Sequence, residues 1–435
     1  MQTSADWPTA NGRTVLFLQG PPGPFFKRLA QQLEALGART LRVRINAGDF
    51  CDSIGQRSIS YRGTFTRWPD WLRDLGRRHR ITDVVLYGDC RPYHRVAIDV
   101  LKRQGARIHV FEEGYIRPRW ITYERDGVNG HSKLVSLPLE RIDVDKVAAA
   151  PAPEERSISE PMWPYIRKGL RYYTCNFLGV FAYPFYRTHR AQGLIEEAWT
   201  WTLRWPILPW VKANAQRLAN ELIAAGKPYH LVLLQLSGDF QLRAHSPFNS
   251  ISEFIDLCIR AYANSGVQEK LVFKNHPLDA GHVNLRQIIR DSACAHGVED
   301  RCVFVDGGKL APLLTLAKSV TAVNTTSCQQ TIMRGIPTRI LGKAVYNHRG
   351  LVSGQPLEAF FRDPAAPDVE QYAIFQKFLL LTCQVNGGFY TPDGIALAVR
   401  NVARRMLRDR DPLFDYVRDA ESGPPVVEAA VEAAE

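Results

Sequence analysis

The stretch Thr14–Gly23, TVLFLQGPPG, decides the architecture. Four consecutive apolar residues, Val15 to Leu18, inside Thr14–Gln19 read as a strand buried on both faces. A strand reaches that state in a sheet covered by helices on either side. The Gly/Pro turn after it is followed by apolar residues at helical spacing, Phe25, Leu29, Leu33 and Leu36. Buried strand, glycine turn and amphipathic helix are the first unit of a parallel α/β sheet.

Working outward, strands are expected at Thr40–Ile45, Thr82–Tyr87 and Arg107–Glu112, with a helix near Arg95–Gln104. The same alternation restarts near residue 229, with strands at His230–Gln235, Lys270–Lys274, Cys302–Val305, Ser319–Val323 and Thr338–Leu341. Helices are expected at Ile251–Tyr262 and Ser327–Arg334. The predicted fold is α/β, two Rossmann-like domains facing a cleft, a GT-B-like plan that many enzymes share. Ligands of such sheets gather at the carboxyl ends of the strands.

A chain of 435 residues exceeds a single hydrophobic core, in keeping with two domains. Residues 1–150 form the first and 228–390 the second. Residues 151–227 hold a linker and an aromatic, basic helical segment; a C-terminal helix over 391–422 and a disordered tail over 423–435 follow. Val147–Glu160 is rich in Ala, Pro and Glu, whereas Trp163–Tyr186 interleaves aromatics with Arg167, Lys168 and Arg171, followed by Arg187. No run of apolar residues spans a bilayer and Met1–Asn11 lacks the apolar core of a signal peptide, so a cytoplasmic protein is expected. The net charge of +11 favours anionic partners. The eight cysteines have no CxxC or Cys/His spacing and read as reduced, mostly buried thiols.

Three loops at strand ends carry chemistry. Glu112-Glu113-Gly114 closes RIHVF and would present paired acids at a cleft mouth, where like charge and burial raise one pKa. The alternative is an acidic pair that caps a helix or pairs with Arg117 and Arg119. Lys274-Asn275-His276-Pro277 follows KLVF and offers several donors to an anionic oxygen, although a His-Pro pair in a loop is common. Asn324-Thr325-Thr326-Ser327 stands before a helix and serves either as a plain cap or as a phosphate cradle. Two further loops, Gln235–Asp239 (with Ser237) and Gly342–Leu351 (with Tyr346), also end strands. Four polar loops on one predicted edge suggest a built site.

Several common chemistries are excluded. Gly20-Pro21-Pro22-Gly23 lacks the Lys-Ser/Thr of a nucleotide-cradling P-loop, and no GxGxxG, GxSxG or DxD-like signature stands at a strand end. His94, His131, His189 and His245 lack metal-ligand spacing and read as surface or hydrogen-bonded residues, so no metal is expected.

Eight blocks in one order, across residues 13–400, carry a family resemblance: FLQGPPGPFF (17–26), RINAGD (44–49), YGDCRPYH (87–94), EEGYIRPRWITYERDGVNGHS (112–132), QLSGDFQLRAHSPF (235–248), KNHPLD (274–279), NTTSCQQTIMRGIP (324–337) and LGKAVYNHRGL (341–351). The chain resembles the KpsS/LipB-type capsule polysaccharide proteins, which are β-Kdo glycosyltransferases. The resemblance implies a bacterial retaining transferase. It moves Kdo from CMP-Kdo to a (lyso)phosphatidylglycerol-type lipid at the inner face of the cytoplasmic membrane. It implies no cofactor beyond the donor, no nucleic acid, and capsule assembly and export machinery as partner.

By that resemblance, Glu113 is the catalytic acid, as nucleophile or base, where relatives usually carry aspartate; Glu112 assists it and Asp239 is a second candidate. Lys274, Asn275, His276, Pro277, Asn324, Thr326, Ser327, Gln235, Ser237 and Tyr346 are expected to bind the CMP-sugar. Gly20, Asp49, Asp89 and Arg117 belong to the acceptor side, and Arg167, Lys168, Arg171 and Arg187 to a membrane-docking face. The segment 163–190 reads equally as a buried interdomain helix pair. Competing functions are a non-catalytic export scaffold, a nucleic-acid module for which no motif is present, and a GT-B transferase with another nucleotide sugar.

Overall fold

The computed structural model describes residues 9–159, 161–188, 193–236, 242 and 244–418. Ser237, Asp239, His189 and the tail 423–435 lie outside the described residues. The chain divides into two compact units, Met1–His189 with Gln376–Glu435, and Arg190–Phe375.

The first unit is built on seven strands: β1 (Thr14–Phe17), β2 (Arg39–Arg44), β3 (Ser58–Ser60), β4 (Asp83–Tyr87), β5 (Arg107–Glu113), β6 (Trp120–Arg125) and, from the far end of the chain, β12 (Gln384–Asn386). Their order is β12-β6-β5-β4-β1-β2-β3. The five strands from β3 to β5 are parallel, β6 runs antiparallel to β5, and β12 antiparallel to β6. The pleat sorts alternate residues to opposite faces. Val15, Phe17, Val85 and Phe111 pack with helix α1 (Phe25–Ala35) and the C-terminal helix Pro392–Met406. Leu16, Val84, Leu86 and Val110 face the other way, toward α3 (Trp68–His79) and α4 (Pro92–Lys102); α2 (Ala47–Asp52) follows β2.

The expected boundary at residue 390 is corrected to 375, because β12 and the helix after it complete the first sheet. Of the segment expected over 151–227, the part up to His189 belongs to this unit and the part from Arg190 to the second. After α5 (Val144–Ala149), Arg119 pairs with Glu155 at 2.9 Å and the Arg156 N–H reaches Asn386 Oδ1 at 2.9 Å, strapping the segment to the sheet edge. Helix α6 (Met162–Leu178) follows it.

The second unit holds β7 (Tyr229–Leu233), β8 (Lys270–Lys274), β9 (Cys302–Val305), β10 (Ala317–Ala322) and β11 (Thr338–Ile340), all parallel, in the order β11-β10-β7-β8-β9. The strand order reverses between β7 and β10, the switch point at which doubly wound sheets take their ligands. Helix Ile251–Ser265, capped by Ser250, and helix Leu285–Ala295 cover one face with Phe254, Ile255 and Ile289.

All eight cysteines are free, but only Cys258, Cys328 and Cys383 are buried, fewer than expected. Among the described residues no helix is long and apolar enough to cross a membrane.

Candidate active site

In the first unit the carboxyl ends of β1, β2, β4 and β5 gather a polar network. Glu113 ends β5 half-buried, and its Oε1 accepts hydrogen bonds from Tyr87 Oη at 3.2 Å and Tyr390 Oη at 3.0 Å. The backbone there is fixed by Thr122, whose hydroxyl donates to the Glu113 carbonyl at 3.0 Å, and Thr122 in turn accepts from Gln384 at 3.0 Å. The next residue turns so tightly that a Cβ on Gly114 would stand 2.1 Å from the Trp120 carbonyl oxygen. Arg117 is exposed and braces this turn through Nε to the Gly114 carbonyl at 3.1 Å. Among the described residues Glu113 has no ion-pair partner, which removes the reading that it pairs with Arg117 or Arg119.

The pleat separates the two acids. Glu112 lies on the opposite face from Glu113 and folds back so that Oε1 accepts the Glu113 N–H at 3.0 Å. Burial lifts its carboxyl to about 7; the Glu113 N–H opposes this and the Glu113 charge adds to it. This predicts a pH-dependent cost. The folded pKa lies above the ordinary 4.5, so the folded state keeps a proton that the unfolded chain loses. Stability therefore falls as pH rises from about 4.5 to 7, and the full penalty stands above 7. Glu112→Gln is expected to gain about 1–3 kcal/mol at pH 8 and nothing at pH 4. Urea melts at the two pH values check this; equal gains at both would refute the assignment.

Behind Tyr87 the network continues toward β1 and β2. The Arg91 guanidinium lies 5.1 Å from the Tyr87 ring centroid and donates to Gln19 Oε1 at 2.8 Å. Gln19 Nε2 donates to Tyr172 Oη at 2.7 Å, and that hydroxyl donates to Asp49 Oδ1 at 2.9 Å. Asp49 is fully buried at the start of α2; burial pushes its carboxyl up. It supports the loop from beneath rather than facing an acceptor. Gly20 is also structural, because a Cβ there would meet the Phe26 ring at 2.7 Å.

Asp89, after β4, is buried and accepts from the Val128 N–H at 2.9 Å, with His131 Nδ1 at 3.2 Å. Burial acts to raise its carboxyl, yet these partners hold it below the usual carboxylate range. His94 is buried against the Gly88 carbonyl at 2.7 Å, and burial brings its imidazole down to about 3. Both histidines are hydrogen-bonded, as expected.

The basic residues of α6 divide. Lys168 donates to the Tyr390 carbonyl, and Arg171 pairs with Asp52, whose buried carboxyl also accepts the Gly23 N–H at 2.8 Å. Lys168 braces the site and is corrected from the docking face; Arg171 keeps its side chain exposed while it pairs with Asp52. Arg167 and Arg187 are exposed.

In the second unit, Asn275 organises the end of β8. Its Nδ2 donates to Asp279 at 3.0 Å and Asp306 at 2.9 Å, while its Oδ1 accepts the His276 N–H at 2.7 Å. His276 Nδ1 accepts the Leu278 N–H at 3.1 Å, which places the ring proton of the neutral imidazole on Nε2 as a donor. Pro277 is exposed beside it. Lys274 is buried, donates to the Asn275 carbonyl at 3.1 Å, and is lowered by burial to about 8. At the switch point Gln235 and Asn324 exchange hydrogen bonds, Nε2 to Oδ1 at 2.9 Å and N–H to Oε1 at 3.0 Å.

Thr326 and Ser327 are half-buried at a 3-10 turn, Thr326–Cys328, which runs into one helical turn, Gln329–Ile332. The helix expected over Ser327–Arg334 is present in shortened form, a 3-10 turn and one α turn that together run from Thr326 to Ile332. Tyr346 is buried with its hydroxyl donating to the Thr325 carbonyl, so it holds this loop from below.

Sequence reading missed Tyr87, Tyr390, Gln19, Arg91 and Tyr172. Tyr87 and Gln19 stood at strand ends and carried that signal. Tyr390 had none, since it reaches Glu113 only through the pairing of β12 with β6.

Carboxylates, hydroxyls and amides collected at the carboxyl ends of Rossmann-like sheets define a ligand-binding α/β protein of the doubly wound class. Within that class the chain belongs to the capsule polysaccharide biosynthesis protein family, whose model matches residues 82–390, and it is of the KpsS/LipB type. It is 32% identical over 395 residues to the capsule polysaccharide export protein KpsS of Escherichia coli, covering 90% of this chain and all of that one. It is 29% identical over 393 residues to the capsule polysaccharide modification protein LipB of Neisseria meningitidis serogroup A, covering 88% and 92%. Among solved structures, the KpsC beta Kdo 2,7 transferase of Thermosulfurimonas dismutans aligns with 90% of this chain and 98% of that one, at 11% identity and a TM-score of 0.42. The resemblance read from the eight sequence blocks is borne out.

Proposed function

We propose that the chain is a retaining glycosyltransferase that moves Kdo from CMP-β-Kdo to a (lyso)phosphatidylglycerol-type lipid at the inner face of the cytoplasmic membrane. The product would start the poly-Kdo linker of the capsule. The observation that carries this reading is Glu113. It is a carboxylate at a strand end, aligned by two tyrosine hydroxyls and two backbone contacts, with no cation to neutralise it among the described residues.

In this mechanism the Glu113 carboxylate attacks the anomeric carbon, C2 of Kdo. The C2–O bond to phosphate breaks and CMP leaves with the electron pair. The acceptor hydroxyl then attacks C2, gives its proton to a base or to water, and releases Glu113; two inversions give net retention. Glu112 acts by orienting Glu113 through its N–H. Lys274, His276, Thr326 and Ser327 stabilise the departing phosphate, each key donor contributing roughly 3–4 kcal/mol. We assign this task to side chains and not to a metal.

Purified protein incubated with CMP-Kdo and a fluorescent lysophosphatidylglycerol, with and without a chelator, tests the reading. Kdo-lipid formed equally in both arms is the expected result. No product where a relative works would favour an export scaffold, and turnover only with UDP- or GDP-sugars would assign another donor. His276→Ala is expected to raise the Kd for CMP about 10- to 100-fold by calorimetry, the worth of a hydrogen bond to a charged group. An unchanged Kd would take His276 out of the phosphate site.

A further inference from the structure

Helix α6 has two unlike faces. Successive residues advance by about 100° at 3.6 per turn, so Trp163, Ile166, Leu170 and Phe177 lie along one stripe. All four are open to solvent, Trp163 and Leu170 at 66% and Phe177 at 59%, and Phe181 just beyond the helix is 93% exposed. The opposite side carries Tyr165, Lys168 and Tyr172. Tyr172 is buried at the centre of the Gln19–Asp49 network, Lys168 donates to the Tyr390 carbonyl, and the Tyr165 ring meets that of Tyr390 edge to face at 4.8 Å. Tyr390 is the residue whose hydroxyl holds Glu113.

A row of uncovered aromatic and aliphatic side chains is costly in water and marks a surface that is buried elsewhere. Its charge selects the partner. Residues 161–188 contain four basic residues and no Asp or Glu, and Arg167 flanks the stripe. Aromatic rings with cationic neighbours settle at the headgroup level of an anionic bilayer. We propose that the outer face of α6, continued by Phe181, lies flat on an anionic lipid surface, while its inner face forms part of the Glu113 site. The same helix then fixes the reacting carboxylate next to the bilayer that supplies the acceptor. This inference deepens the lipid-acceptor reading, but its test requires no turnover.

The full chain is mixed with sucrose-loaded phosphatidylcholine vesicles, with or without phosphatidylglycerol, and sedimented without donor. The wild type is expected to bind the phosphatidylglycerol vesicles and to be released by salt. Arg167→Glu should lower that partition about five-fold. The triple variant Trp163→Ser, Leu170→Ser, Phe177→Ser should lower it about ten-fold or more, with an unchanged circular dichroism spectrum and with transfer to a detergent-dispersed acceptor retained. Failure of the wild type to bind, or wild-type partition of the triple variant, would overturn the proposal. So would a wild-type dimer that the triple variant dissociates, since the stripe would then be covered by a second copy. Vesicle binding without Kdo transfer would leave this inference standing and remove only the catalytic reading.

Discussion

Glu113→Gln is expected to fold as the wild type does and to lose the proposed Kdo transfer by at least about a thousandfold. The substitution keeps the shape of the side chain and an Oε1 that can still accept from Tyr87 and Tyr390, so the packing around it is retained. What disappears is the negative charge that, in the mechanism proposed above, forms the bond to the anomeric carbon. An amide is a far weaker nucleophile than a carboxylate, so the first displacement stalls. The comparison to make is transfer rate against melting temperature: loss of rate at an unchanged melting temperature places Glu113 in the chemistry. Near-normal turnover would remove it and return the assignment to the other acids.

Gly114→Ala is the change of largest expected structural effect. The added methyl would stand 2.1 Å from the Trp120 carbonyl oxygen and 2.7 Å from that of Ile116, both backbone atoms that a rotamer change cannot clear. The turn between β5 and β6 must therefore open, at a cost of about 3 kcal/mol. Opening it also moves the end of β5, and a displacement of roughly 1 Å at a reacting group costs about a hundredfold in rate. Gly169→Ala in α6 is the control, because its Cβ meets nothing within 4 Å and helix propensity should gain about 1 kcal/mol. Urea melts of the two variants should move in opposite directions. A Gly114→Ala midpoint equal to wild type would mean the turn is looser than drawn.

What the sequence could say about the site followed strand ends. Glu113, Asn275, His276 and Asn324 were all legible because each stands just past a run of apolar residues, and a parallel sheet exposes that edge to ligand. Local periodicity does not report which acid of a pair points where. Here the pleat sent Glu112 and Glu113 to opposite faces, and Glu112 became a brace rather than a partner. Nor could spacing tell that Lys168 turns inward while Arg167 stays out, since a helix distributes neighbouring basic residues around its axis.

The parallel strands of the two sheets, the polar loops at their carboxyl edges and the family were determined by sequence alone, because buried strands and helical stripes leave short-range apolar patterns. Tertiary structure decided the rest. Strands β6 (WITYER) and β12 (QVN) are buried yet mix polar with apolar residues; in β6 the Glu124 carboxylate accepts from Tyr115 and Ser132, and Arg125 donates to the Asp409 carbonyl. Neither is a continuous apolar run. Their pairing, 262 residues apart between Thr122 and Gln384, brings Tyr390 to Glu113. A contact between such distant segments depends on where the whole chain goes, and no local window of residues encodes it.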